Sequence, residues 1–216
     1  MRILIFGDSI AQGFYDRQGG WAQRIINGYN WQSGQERDQA NANWVEGYNL
    51  GISGDTATGV LGRLQNEFAA RQLYKEENIL VFAVGTNGSS ISHGEPVSTA
   101  EEYRSEMEQI ADLAIKLAKH TIFVGITSVD DKLCNPWKYS STDRMFSNQN
   151  IKEFDNQVQD MCAQRGLKFV SLFDDFKAGD EAHGWLLDGL HPNEAGHEFI
   201  ASVVKPEIDK LVGANA

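Results

Sequence analysis

The sequence predicts an α/β fold, a three-layer α/β/α sandwich built on a five-stranded parallel sheet. Five short apolar segments alternate with segments of helical periodicity, which is the pattern of such a fold. Two of them, Ile79–Val84 and Thr121–Ile126, are continuously apolar and rich in Val and Ile, as is typical of strands buried on both faces of a parallel sheet. No repeat or linker interrupts the alternation, so we expect one domain over residues 1–216.

The strands follow in chain order. The first, Ile3–Phe6, stops at a Gly-Asp-Ser triplet, and the second, Trp44–Asn49, is patchy, as edge strands tend to be. Ile79–Val84 and Thr121–Ile126 are the third and fourth, and Lys168–Phe173 is a patchy fifth. We expect the doubly wound, flavodoxin-like order 2-1-3-4-5, which brings the ends of strands one, two and three together.

Apolar residues spaced three and four apart predict helices between the strands. A short helix is expected over Gly20–Asn27. The longer helices are marked by four apolar sets: Val60, Leu61, Leu64 and Phe68; Tyr103, Met107, Ile110, Leu113 and Leu117; Ile151, Phe154, Val158 and Met161; Phe199, Ile200, Val203, Val204 and Ile208. The connections Tyr29–Asn43, Thr127–Ser147 and Asp174–Gly189 are expected to be long loops, which in compact domains are usually functional or disordered.

Composition and charge disfavour several classes of partner. Of the 216 residues 41% are hydrophobic and 23% charged, which is ordinary for a globular protein. A net charge of −11 would repel nucleic acid and anionic membrane surfaces. No apolar stretch approaches the roughly 18 residues of a membrane span, and no signal peptide precedes Ile3, so we expect a cytoplasmic protein, although a trimmed chain would leave export open. Cys134 and Cys162 are too few for a disulfide framework.

Polar clusters follow the predicted strands. They are Gly7-Asp8-Ser9 after the first, "NLGISGDT" after the second, "GTNG" after the third and "DGLHPN" in the loop after the fifth. Each alone has an ordinary interpretation as a turn or a helix cap. Jointly they lie where open α/β sheets bind ligands. Their order of Ser, Asp and His is that of nucleophile-elbow hydrolases, although the G-x-S-x-G elbow itself is absent.

These residue types suit acyl transfer to water. A serine hydroxyl is a weak nucleophile and needs a base, and His191 can take the proton of Ser9. Asp188, three residues before His191, can fold its carboxylate onto the imidazole and fix its tautomer and orientation. The backbone N–H groups of Ser9 and Gly54 and the side-chain amide of Asn87 can donate to a developing oxyanion.

Other residues compete for these roles. His183 is an alternative base because it lies in the same loop as Asp188. A metal site built from His183, Asp188, His191 and His197 is conceivable, but the spacing matches no zinc signature such as H-E-x-x-H. His197 falls inside the last predicted helix and is expected to be structural. The cysteines lack a recognisable His partner and are expected to be reduced.

Four side chains are candidates for a substrate pocket. Asp8 adjoins Ser9, where it can also cap a helix or support the Ser9 loop. Ser128, Trp137 and Tyr139 lie in the long connection after the fourth strand. The two aromatic residues have an equally good interpretation as anchors that fix this loop to the core, so both interpretations stay open.

The four motifs, in this order, resemble those of the SGNH (GDSL-type) hydrolase superfamily. "FGDSI" is similar to its first block, with Ile10 where the family name has Leu, and "NLGISGDT", "GTNG" and "DGLHPN" are similar to the second, third and fifth blocks. The resemblance covers essentially the whole chain. It implies a five-stranded α/β/α sandwich that hydrolyses esters without a metal or an organic cofactor.

The resemblance also implies roles for individual residues. Ser9, Asp188 and His191 match the triad positions, and Gly54 and Asn87 match the oxyanion positions. Gly88 stands where the family usually has Asp. That Asp is not a triad member, so its absence leaves open only how firmly the Asn87 loop is anchored.

We therefore predict a serine esterase that acts on small-molecule esters of small or medium acyl groups, including acetyl groups on sugars. One alternative is a non-catalytic carbohydrate- or ligand-binding module on the same fold, which the presence of Ser9, Asp188 and His191 disfavours. The other is a nucleotide or flavin binder, and "GDSIAQG" lacks the glycine-rich phosphate loop that such a site needs.

Overall fold

A five-stranded parallel sheet forms the centre of the computed structural model, which describes residues 1–36, 44–73 and 77–213. Its strands are β1 (Arg2–Gly7), β2 (Glu46–Gly51), β3 (Asn78–Ala83), β6 (His120–Val124) and β7 (Lys168–Val170), while β4 (Ile91–Ser92) and β5 (Glu95–Pro96) form a separate antiparallel pair. The strand order β2-β1-β3-β6-β7, parallel throughout, confirms the predicted order 2-1-3-4-5.

Helices cover both faces of this sheet. They are α1 (Ser9–Gln12), α2 (Gly20–Glu36), α3 (Ala57–Arg71), α4 (Ala100–Leu117), α5 (Asn148–Arg165), α6 (Phe173–His183) and α7 (Glu194–Gly213). Leu4 and Phe6 of β1 pack in a core with α3, α4 and α5, whereas Ile3 and Ile5 pack in a core with α2 and α7. Alternate residues of one strand therefore enter different layers, which confirms the three-layer sandwich. No helix in the described ranges has the length and apolar character to cross a bilayer.

Helix α2 runs through the first half of the predicted loop Tyr29–Asn43, so that part of the loop prediction is wrong. The stretch is polar, but Tyr29 and Ser33 are buried on one face of the helix. The Ser33 hydroxyl donates to the Val45 carbonyl and accepts from the Val45 N–H, both at 2.8 Å. These contacts hold the polar segment in helical form. Residues 37–43 of the predicted loop lie outside the described residues.

Helix α6 occupies most of the segment Asp174–Gly189, which the sequence predicts to be a loop, and strand β7 ends at Val170. Only two large apolar residues mark this helix, Phe173 and Phe176, and both are buried. The Phe176 ring packs 5.6 Å from the ring of Trp185, between ring centroids. The helix is thus stabilised by tertiary packing, which a weak local pattern does not reveal.

Both cysteines are buried, free thiols. Burial raises the pKa of Cys134 and that of Cys162 to about 12. A thiol with such a pKa stays protonated at neutral pH and is a poor nucleophile.

Strand β1 ends at Gly7 because neighbouring segments come too close for a side chain. A Cβ atom at this position would lie 2.5 Å from the Ala83 carbonyl oxygen and 2.5 Å from the Ala11 Cβ. Gly7 does not have a positive φ, so the close approach, and not an unusual backbone conformation, explains the glycine. Because Gly7 has no side chain, helix α1 packs directly against the ends of β1 and β3.

We expect Gly7→Ala to lower the free energy of unfolding by about 1–3 kcal/mol, because the added methyl group must displace the backbone of β3. Gly28→Ala is the matched control, since a Cβ there meets nothing within 4 Å, and it should raise the free energy of unfolding by about 0.5–1 kcal/mol in a helix. Urea unfolding followed by circular dichroism measures both. Equal stability of the two variants would contradict the explanation.

Candidate active site

Ser9 begins the short helix α1, directly after the carboxyl end of β1. Asp8 caps this helix, because its carboxylate accepts from the Ile10 N–H at 3.0 Å. The helix ends after four residues at Gly13, whose φ is +97°. In this arrangement the Ser9 Oγ lies 2.9 Å from Nε2 of His191.

Asp188 holds the imidazole of His191. Its Oδ2 lies 2.9 Å from Nδ1 of His191, and its Oδ1 accepts from the N–H groups of Leu190 and His191 at 2.9 and 2.7 Å. Burial alone would raise the pKa of Asp188, but the hydrogen bonds from the imidazole and the two amides outweigh burial and hold the pKa below its ordinary value. The ionised carboxylate therefore favours a proton on Nδ1 and leaves Nε2 as the acceptor that faces Ser9.

Gly54 lies in a tight turn after β2. The turn is closed by the Asp55 N–H, which donates to the Ile52 carbonyl at 3.0 Å, and Gly54 has a φ of +80°, the left-handed conformation that glycine adopts readily. The guanidinium of Arg63 fixes Asp55 through contacts of 2.9 and 2.8 Å from Nε and Nη2 to Oδ2. Within the described ranges, the backbone N–H groups of Gly54 and Ser9 donate to no backbone carbonyl.

Asn87 follows β3 and is buried. Its Nδ2 donates to the Asp55 carbonyl at 3.1 Å and lies 3.5 Å from Oδ2 of Asp8. The amide therefore lies between the Gly54 turn and the cap of the Ser9 helix. The hydroxyl of Ser90 donates to the Asn87 carbonyl at 2.7 Å. This hydrogen bond anchors the Asn87 loop, in which Gly88 has no side chain that could do so.

Five residues that the sequence predicts for the site are thus brought to the carboxyl edge of the sheet. Ser9, His191 and Asp188 form one continuous set of hydrogen bonds and are all buried. Gly54 and Asn87 adjoin them through contacts of Asn87 with Asp55 and Asp8. The arrangement can place a nucleophile, a base and several N–H donors around one carbonyl group.

The competing histidines lie elsewhere. His183 ends helix α6, and its ring lies 6.0 Å from that of Trp185. His197 is fully buried in α7, where Nε2 lies 2.9 Å from the Phe14 carbonyl and Nδ1 accepts from the Trp21 N–H at 3.3 Å. Burial lowers the pKa of His197. Within the described residues, no three or more His, Cys, Asp or Glu side chains are arranged to hold a metal ion.

Aromatic side chains surround His191. Their rings lie 5.4 Å (Phe14), 5.6 Å (Tyr15) and 5.7 Å (Trp137) from the imidazole, and Tyr139 lies 5.7 Å from Trp137. We call these four residues the aromatic rim. Phe14, Tyr15 and Tyr139 are 39, 47 and 57% exposed. Sequence reasoning proposed Trp137 and Tyr139 but missed Phe14 and Tyr15, although "GFYD" directly after the Ser9 helix was a usable signal.

The other two pocket candidates are buried away from this rim. Ser128 is 1% exposed and lines a separate polar groove, together with Lys132 and Asp180. Asp8 is 2% exposed and lines a small cavity together with Ile10. Neither side chain reaches the exposed side of the site.

The family model for the GDSL-like lipase/acylhydrolase family matches residues 5–199, a range that contains all four motifs. The chain belongs to this family. As a GDSL-family member of SGNH type it is an ester hydrolase. No curated protein sequence matches it.

Solved structures share the fold of this GDSL-family protein. One is a lipolytic protein of the G-D-S-L family from Veillonella parvula, with a TM-score of 0.69, 18% identity and coverage of 94% of this chain and 96% of that one. A lipase/acylhydrolase from Enterococcus faecalis has a TM-score of 0.66 at 24% identity, covering 96% and 94%. A catalytic mutant of Axe2, an acetylxylan esterase from Geobacillus stearothermophilus, has a TM-score of 0.70 at 17% identity, covering 96% and 93%.

Asp8 provides a test of the electrostatics of the site. Burial raises the pKa of Asp8 from 3.8 to about 6, so the folded state binds this proton more tightly than the unfolded state does. The free energy of unfolding contributed by Asp8 must therefore fall as the pH rises from about 4 to about 6. We expect Asp8→Asn, which keeps an oxygen acceptor for Ile10, to be more stable than wild type at pH 8 by up to about 3 kcal/mol.

The difference between Asp8→Asn and wild type should shrink towards pH 4, where the wild-type carboxyl group is protonated in the folded state. Urea unfolding of both proteins at pH 4, 6 and 8 measures it. A difference that does not change with pH would show that the Asp8 carboxylate is not destabilised by burial.

Proposed function

We propose that this GDSL-family hydrolase is a serine esterase in which Ser9 is the nucleophile, His191 the general base and acid, and Asp188 the residue that orients His191. One observation carries the proposal: hydrogen-bond distances of 2.9 Å join Ser9 Oγ to Nε2 of His191, and Nδ1 of His191 to Asp188. This geometry presents a hydroxyl to a base whose tautomer is already set.

In the first half of the reaction, the Ser9 oxygen attacks the ester carbonyl carbon while Nε2 of His191 takes the hydroxyl proton. The carbonyl π electrons move to oxygen, and the resulting oxyanion accepts from the N–H groups of Ser9 and Gly54 and from Nδ2 of Asn87. The intermediate collapses with loss of the alcohol, which receives the proton from His191. The acyl group is left on Ser9.

In the second half, water attacks the acyl-serine carbonyl and gives a proton to Nε2 of His191. The second oxyanion is held by the same donors. Collapse releases the carboxylic acid and returns the proton to the Ser9 oxygen. The ionised Asp188 stabilises the imidazolium in both halves without itself taking the proton.

The surroundings of Ser9 favour a short acyl group on a sugar-like alcohol. The cavity that Asp8 and Ile10 line on either side of Ser9 in sequence has a volume of about 20 Å³. This is room for about one water molecule, so the cavity has no space for a long acyl chain. On the exposed side the aromatic rim offers ring faces of the kind on which the apolar C–H faces of a sugar pack. The acetylxylan esterase of the same fold supports this substrate class.

The triad roles are tested with p-nitrophenyl acetate. We expect Ser9→Ala and His191→Ala each to lower kcat by at least about 10³-fold, since both remove the activated nucleophile. His183→Ala is the matched control, because His183 lies at the end of α6 and away from Ser9, and its kcat should stay within about twofold of wild type. An inactive wild type, or an active Ser9→Ala variant, would refute the esterase proposal.

The alcohol preference is tested with Tyr139→Ala, which removes the most exposed ring of the aromatic rim. We expect the KM for acetylated xylo-oligosaccharides to rise about three- to tenfold, because the variant loses one stacking contact with the sugar. The hydrolysis of ethyl acetate, followed in a pH-stat, should not change because its alcohol has no ring. Trp31→Ala, on the exposed side of α2, is the control substitution. Equal effects on both esters would argue against sugar stacking.

A further inference from the structure

Arg144 lies in the connection between β6 and α5, beside the loop that carries Asn87. Its neighbour Met145 exchanges two backbone hydrogen bonds with Ile91, at 3.0 and 2.9 Å. The carbonyl of Arg144 accepts from the Trp137 N–H at 2.8 Å. The backbone of Arg144 is thereby held against the segment that follows β3.

The guanidinium of Arg144 donates to the two oxygens of Asn87, whereas the side-chain nitrogen of Asn87 bonds Asp55. Nη1 donates to the side-chain Oδ1 of Asn87 at 3.3 Å, and Nη2 donates to its backbone carbonyl at 3.2 Å. Nε donates to the Ser90 hydroxyl at 2.8 Å, and that hydroxyl in turn donates to the Asn87 carbonyl. The ring of Phe146 lies 5.6 Å from Cζ. Both oxygens of Asn87 are therefore bonded to one cation.

In the part of the chain that the structure describes, no carboxylate neutralises the positive charge of Arg144. Among the described residues, Arg144 forms no ion pair with Asp or Glu, and its side chain is partly buried. Burial lowers the pKa of Arg144, the direction expected when a charge loses water without gaining a counter-ion. A desolvated charge that is not paired costs free energy. Its favourable contacts are with the oxygens of Asn87 and Ser90 and with the ring of Phe146.

We propose that Arg144 is a positioning residue for the oxyanion hole, where it sets the direction in which the Asn87 amide faces and strengthens its N–H donors. The inference rests on the proposed function, in which Asn87 donates to the oxyanion. A guanidinium has donors only, so the atom that faces it must be Oδ1, and Nδ2 must face Asp55 and the helix of Ser9. A flipped amide would bring its NH₂ group against the cation.

The positive charge of Arg144 also favours the role of the Asn87 amide as a donor to the oxyanion, as its hydrogen-bond geometry does. A cation bonded to Oδ1 draws electron density from the amide and makes its N–H groups stronger donors. Its positive charge also lies one amide group away from the negative charge that develops in the transition state, and preorganised charge of this kind favours the transition state over the substrate. Arg144 should therefore affect kcat more than KM.

Two substitutions of Arg144 and one control separate this role from a structural one. Arg144→Met removes the charge and the donors but keeps an apolar stem, and should lower kcat for p-nitrophenyl acetate about 10- to 100-fold with KM within about threefold. Arg144→Lys keeps the charge but not the fork, and should recover part of the loss. Arg104→Met removes an arginine that bonds Glu108, Gln157 and Gln164, and should leave kcat within about twofold.

A double-mutant cycle tests whether Arg144 acts through Asn87. We expect Asn87→Ala to lower kcat about 10²–10³-fold, and Arg144→Met added to Asn87→Ala to lower it less than about threefold further. A full, multiplicative loss in the double variant, or a change confined to KM, would overturn the proposal. If Arg144→Met does not fold, Arg144→Lys takes its place in the cycle.

A spectroscopic measurement tests the positioning of Asn87 by Arg144 independently of the proposed esterase activity. The side-chain amide signals of ¹⁵N-labelled Asn87 should shift, and exchange faster with water, in Arg144→Met but not in Arg104→Met. Unchanged Asn87 signals would overturn the positioning role whatever the activity. Unchanged kcat in Asn87→Ala would instead refute the oxyanion role of Asn87, and with it any catalytic contribution of Arg144 through that residue.

Discussion

The close packing of α1 against the ends of the central strands is the constraint on which the rest of the site depends. Gly7 ends β1 where a side chain would strike the Ala83 carbonyl, and Gly51 ends β2 where a Cβ would lie 2.3 Å from the Gln12 nitrogen. Two strands thus lack side chains where the helix crosses them. Because its backbone lies this close to the ends of β1 and β2, α1 fixes the position of Ser9 relative to the sheet. The residues that contact Ser9 must therefore reach it at this edge of the sheet.

Those partners come from distant parts of the chain, and the parallel sheet is what makes their meeting possible. The turn of Gly54 and the loop of Asn87 follow β2 and β3, the two neighbours of β1, so both start within one strand spacing of Ser9. His191 follows no strand directly and is 182 residues from its partner in sequence. It is placed by its own loop, in which one carboxylate of Asp188 binds both the backbone and the imidazole.

The sequence predicted what is local or strongly periodic. The buried strands had unbroken apolar patterns, and the site motifs were short and lay at strand ends, so both the sheet order and the meeting of Ser9, Gly54, Asn87, Asp188 and His191 could be inferred. Helix α6 could not, because two phenylalanines are its only large apolar residues. Arg144 could not either, because nothing in "STDRMFS" indicates that a guanidinium reaches across more than fifty residues to a side-chain amide.

The connection between β6 and α5 carries two of these features at once. Trp137 packs against His191, where we propose that the alcohol part of a substrate binds. The hydrogen bond from the Trp137 N–H to the Arg144 carbonyl joins this part of the loop to Arg144, which donates to Asn87. On the proposed mechanism, substrate recognition and turnover therefore depend on the same loop backbone. On the proposed mechanism, exchanging this loop for that of a relative would alter selectivity and rate in the same step. Specificity is therefore better redesigned from Phe14 and Tyr15, which contact the same imidazole from a different segment, the one that follows α1.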